Sequence, residues 1–165
     1  MQILASLKRQ AISSDIKNAF GQSMKTTRQQ PIAASLPQGM AEAGYDLDPR
    51  QLLLCETEVY GLISGPSWLR QSLVNNLEGL GYVKNPYDKC MMMLPPDKKP
   101  IDTRKNATNT QPGSANSCYL NDGIVLIEVD DILEGGNDRH RNLMKSFYTK
   151  YQCCLLYTSP SPRDS

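Results

Sequence analysis

The chain has 165 residues, 39% of them hydrophobic, and its 18 Lys and Arg against 17 Asp and Glu leave a formal net charge of +1. That length suits one domain with a sizeable core, and the balanced charge excludes the strongly basic class that holds nucleic acid by electrostatics alone. No apolar run reaches membrane-spanning length, which argues against a membrane partner, and five cysteines without a C-x-x-C pair point to reduced thiols in an intracellular chain.

In chain order, residues 10–15 form a short apolar stretch ending in Asp15, and residues 16–24 are compatible with a short helix. Residues 31–35 read as an edge strand, where a leading Pro31 is tolerated. A loop follows to Pro49, and residues 51–59 are a Leu-rich strand candidate. Gly65 and Pro66 open the clearest helix, with Leu69, Leu73, Leu77 and Leu80 at helical spacing and Gly79 and Gly81 as its stop. Residues 90–94 predict a short strand. Residues 95–117 are Pro-, Lys-, Asn- and Ser-rich with hardly an apolar side chain, and predict a disordered loop between two strands of one sheet.

The run from Gly123 to Leu133 organises the rest. Ile124 and Leu126 share one face of an extended strand, and Val125, Ile127 and Val129 share the other, so burial on both faces is expected up to Glu128. The run then meets the doublet Asp130-Asp131. Two adjacent carboxylates on a straight strand point to opposite faces, so both serve one site only if the chain turns there. A tight hairpin at Val129-Asp130, returning through Ile132 and Leu133, would do that. Gly135 and Gly136 are expected to turn the chain. Asn137 or Asp138 then caps a helix whose Leu143, Met144, Phe147, Tyr148 and Tyr151 make one apolar face, read as core. His140 falls on the polar side of that helix and reads as solvated.

Three motifs taken together resemble copia-type reverse transcriptases, the polymerases of a class of retrotransposons. They are Asp15-Ile-Lys-Asn-Ala-Phe20, the segment Tyr60-Gly-Leu-Ile-Ser-Gly-Pro-Ser-Trp68, and Glu128-Val-Asp-Asp131. The resemblance covers residues 9–153 and implies an α+β fold, a polymerase palm-like antiparallel sheet backed by helices, incomplete at both ends. It implies RNA-directed DNA synthesis on an RNA or DNA template-primer with deoxynucleoside triphosphates, using Mg²⁺ or Mn²⁺. Asp15, Asp130 and Asp131 are the implied metal-binding and catalytic carboxylates, with Asp15 and Asp130 foremost. Phe20, Ser64, Gly65 and Pro66 are the implied nucleotide-side residues, Phe20 as the aromatic under the sugar. Its bland alternative is a core phenylalanine. The chain departs from the family at Glu128, commonly Tyr, and at Ser64, often Gln. It also lacks one residue between Pro66 and Trp68, which rotates the following helix by roughly 100°. Residues 154–165 look like translated adapter read-through and are expected to be a non-native tail. An inactive palm-like remnant that binds metal or nucleic acid weakly is the alternative function, and an unrelated α+β domain with a plain Asp-Asp turn is the third.

Overall fold

The computed structural model describes residues 10–37, 39–40, 43–45, 48, 50–97 and 121–158. The chain is α+β and divides into two compact units, one of residues 1–17 and 73–165 and one of residues 18–72.

The first unit is built on a six-stranded sheet. In chain order its strands are β1 (Ile12–Ile16), β4 (Val83–Lys84), β5 (Met91–Leu94), β6 (Gly123–Glu128), β7 (Asp131–Gly136) and β8 (Cys153–Thr158). Across the sheet the order is β4-β5-β6-β7-β1-β8, and every neighbouring pair is antiparallel. Opposed residues of an antiparallel pair share a face. One face therefore carries Met92, Leu94, Val125, Ile127, Ile132, Ser14 and Ile16, all buried. The other carries Ile124, which is buried, and Met93, Leu126, Leu133 and Ser13, which are partly covered, and it ends in Glu128, Asp131 and Asp15 at the more exposed hairpin end. A sheet with one packed and one open face is the usual antiparallel solution.

Helix α2 (Asp138–Lys150) lies against β7 on the packed face. Asn137 caps it as expected, its side-chain oxygen accepting the His140 N–H at 3.1 Å. Met144, Phe147 and Tyr151 are buried, so the aromatic stripe is core. From the first turn of α2, Arg139 grips the residues on both sides of the long connection. It donates to the Pro95 carbonyl at 2.7 Å and pairs with Asp97 at 3.0 Å and Asp122 at 2.9 Å. From residue 98 on, the expected loop lies outside the described residues. Helix α1 (Gly65–Gly79) ends as its glycines suggest. Gly81 takes φ 94°, and the N–H groups of Tyr82 and Gly81 donate back to Leu77 and Glu78 at 3.0 Å each. These two bonds satisfy carbonyls that a helix end otherwise leaves open.

Three expectations need correction. The stretch after Asp15 is no helix beyond a 3₁₀ turn at Ala19–Gln22, because β1 continues through Ile16 opposite Cys153, and Asn18 then turns left-handed at φ 46°. Gly135 and Gly136 do not turn the chain; they are strand residues opposite Ile124 and Gly123. Residues 153–158, mostly within the stretch set aside as tail, pair with β1 as edge strand β8.

In the second unit, β2 (Ile32–Ser35) and β3 (Leu52–Cys55) form a two-stranded antiparallel sheet. The strand expected over residues 51–59 is thus four residues long. Among the described residues, no helix is long and apolar enough to cross a membrane.

Candidate functional site

The hairpin joining β6 to β7 is the tight one that the Asp doublet suggests. Glu128 and Asp131 are its last paired residues, leaving Val129 and Asp130 as a two-residue turn. Val129 has φ 57°. Two-residue hairpins favour positive φ because it matches the strand twist, but a β-branched side chain there is strained, by about 1–3 kcal/mol. The flanking ladder holds it, and so does the neighbouring strand: the Ile16 N–H donates to the Asp130 carbonyl at 2.9 Å.

This places the acidic residues in a row. Asp131 stands directly opposite Asp15 on β1 and directly opposite Glu128 on β6. The three lie on the open face, away from α2, on adjacent strands about 4.8 Å apart. Asp130 is beside them in the turn. Asp131 and Glu128 are exposed and Asp15 and Asp130 half-buried. The doublet is therefore not a buried pair in need of compensation. The ion pairs among the described residues use other carboxylates.

Two facing carboxylates on an open surface suit a hard cation such as Mg²⁺, which takes one or two carboxylates and completes its shell with water and phosphate oxygens. Asp15 and Asp131 supply that pair, with Asp130 as neighbour. Among the described residues, no group of three or more His, Cys, Asp or Glu is gathered so as to hold a metal ion unaided. The carboxylates form an open row, not a closed cage.

The nucleotide-side candidates belong to the second unit. Phe20 is 5% exposed and meets Tyr60 edge-to-face with centroids 4.4 Å apart. A Cβ at Gly65 would come within 2.9 Å of the Phe20 ring, so glycine there permits the close packing. Burial favours the core role for Phe20. Pro66 sits in the first turn of α1, where its missing N–H leaves no helical bond unmade. The Ser64 carbonyl accepts the Trp68 N–H at 3.0 Å, and the Trp68 indole N–H donates to the Met24 carbonyl at 3.0 Å. The Ser64 hydroxyl is already engaged. It donates to Glu58 at 3.0 Å and is hydrogen-bonded to Arg28, whose guanidinium grips the buried Glu58 at 2.7 and 2.9 Å.

One cluster escaped the sequence. His140 is fully buried, not solvated: its Nε2 is hydrogen-bonded to Glu134 and its Nδ1 to the Tyr82 hydroxyl at 2.7 Å. The Tyr148 hydroxyl donates to the other Glu134 oxygen at 3.3 Å and lies 3.4 Å from the Ser14 hydroxyl. Burial, and then the Glu134 charge, push both tyrosine hydroxyls well above their ordinary pKa. The glycines explain the space, since a Cβ at Gly123 or Gly136 would run into the imidazole. The legible signal was Glu134 itself. It shares the inward face of β7 with Ile132, and a buried carboxylate needs a partner.

Compared with known proteins, the chain matches no family model, no curated protein and no solved structure.

Proposed function

We propose that the chain is a fragment of an RNA-directed DNA polymerase of the copia-type retrotransposon class, its sheet the palm that carries nucleotidyl transfer from deoxynucleoside triphosphates to a primer 3′ end. The cross-strand register of Asp15 with Asp131, beside a hairpin turn that carries Asp130, is the observation that supports this most. Asp15 and Asp131, 116 positions apart in the chain, meet on one sheet face, as a polymerase needs them to. Asp15, Asp130 and Asp131 would hold Mg²⁺ or Mn²⁺, which when bound neutralises phosphate charge and activates the attacking hydroxyl. The chain's own part is to orient. The bond from Ile16 N–H to the Asp130 carbonyl ties the turn to β1, so the carboxylates keep their spacing without substrate. Glu128 and Asp131 are exposed, so a ligand in solvent can reach this end of the sheet.

Positioning by a duplex-gripping domain supplies several kcal/mol of catalytic advantage in such reactions, so the 165-residue chain alone is expected to extend primers poorly. The test is Mg²⁺-dependent primer extension by this chain joined to the thumb of a related polymerase. Synthesis that vanishes in Asp15→Asn and Asp130→Asn supports the proposal, and a joined protein that folds yet extends nothing under any divalent cation contradicts it. The engagement of the Ser64 hydroxyl by Glu58 and Arg28 favours the second reading, an inactive remnant that binds a cation or nucleic acid weakly.

A further inference from the structure

The sheet of the second unit has an unfinished edge. β2 and β3 pair only with each other, and among the described residues no third strand joins them. A two-stranded ribbon is marginal in water, and proteins usually blunt such edges with charge or proline. β3 has neither: Leu52, Leu53 and Leu54 are 66%, 39% and 61% exposed, and Cys55 follows. The charges stand only at the flanks, Arg50 before and Glu56 after. The open edge ends at Cys55, because the Glu56 carbonyl already accepts the Thr26 N–H at 2.8 Å.

We propose that β3 is a self-association edge, on which β3 of a second copy of this chain docks antiparallel about a two-fold axis at Leu53. In that register Leu53 faces its own copy, Leu52 faces Leu54, Gln51 faces Cys55, and Arg50 of each copy faces Glu56 of the other. The flanking charges select it. Moving the axis half a residue toward Leu54 sets Arg50 against Thr57. Moving it a full residue sets Arg50 against Glu58, which Arg28 already holds in the interior. Moving it toward Leu52 by the same steps sets Arg50 against Cys55 or Leu54, neither of them charged. Glu56 can exchange its present partner, since its 2.8 Å pair with Lys25 is solvent-exposed on both sides. An isologous contact of this kind closes after two copies and stops. The small net charge offers little repulsion against it.

The experiment uses the full chain. Analytical ultracentrifugation is expected to show a concentration-dependent dimer, with Arg50→Glu raising its dissociation constant about tenfold and Arg50→Glu with Glu56→Arg restoring it. With all five native cysteines replaced by Ser, Leu53→Cys should cross-link to itself across the axis, while Leu52→Cys and Leu54→Cys, each facing a leucine, should not. A chain monomeric at every concentration overturns the proposal. So do open-ended aggregates, a charge swap that fails to rescue, or cross-linking fastest at position 52 or 54.

Discussion

Asp15 and Asp131 face each other directly across β1 and β7, and Asp131 also faces Glu128 across the hairpin. Three like charges in one cross-strand row repel, at a cost of about 0.2–1 kcal/mol per opposed pair. Without divalent cation, Asp131→Asn should therefore raise the urea midpoint slightly, and with Mn²⁺ present the advantage should shrink or reverse. Parallel urea titrations, with and without the cation, check it. A lower midpoint for Asp131→Asn in metal-free buffer would mean that the row is held by something other than a cation.

The buried cluster behind the sheet is a stability element. His140→Ala leaves the Glu134 carboxylate and the Tyr82 hydroxyl without their partner in the interior, and breaking such a pair costs about 3–5 kcal/mol. That is a large share of a domain's total stability. His140→Ala is thus expected to unfold at markedly lower urea. Gly136→Ala should be comparably damaging, because its Cβ would occupy the imidazole's place. Wild-type midpoints in both variants would contradict the network.

Stability should fall in alkali. Burial, followed by the charge of Asp15, pushes the Cys153 thiol from its ordinary 9.0 up to about 11. The unfolded chain therefore loses this proton first. The thiol's contribution is fully present below about pH 9 and is lost as pH rises toward 11. Tyr148 and Tyr82 act in the same direction from pH 10 upward, since both are raised above their ordinary 10.0. Urea midpoints should change little between pH 7 and 8.5 and fall by pH 10.5, and Tyr148→Phe should flatten the upper part of the curve. A midpoint that holds steady or rises would be inconsistent with these buried hydroxyl and thiol groups.

What the sequence shows depends on how local the cause is. The β6–β7 hairpin was legible because a β-branched run meets a doublet that only a turn can bring together, and the α2 cap because Asn137 precedes a periodic stripe. The full length of β7 is not legible, because two glycines usually end a strand. Here they stay in it to make room for His140, a requirement set by a residue on another element. The burial of His140 is hidden for the same reason: helical periodicity reports a face, not the carboxylate six residues earlier that draws the ring inward. For Phe20 the sequence permits a core role and a nucleotide-side role alike, and its packing against Tyr60 and Gly65 favours the core. Nothing local in Asp15 tells which member of the doublet it faces. The ladder register does, and it selects Asp131.

The most direct measurement is Mn²⁺ binding to the full chain, followed by paramagnetic broadening of its backbone amide signals. A cation held by Asp15 and Asp131 should broaden residues 14–16 and 129–132 first and leave α2, on the other face of the sheet, sharp. Asp15→Asn and Asp131→Asn should each abolish that pattern while the fold persists. Broadening centred elsewhere, or unchanged in both variants, would contradict a cation site at this hairpin and the polymerase reading that rests on it.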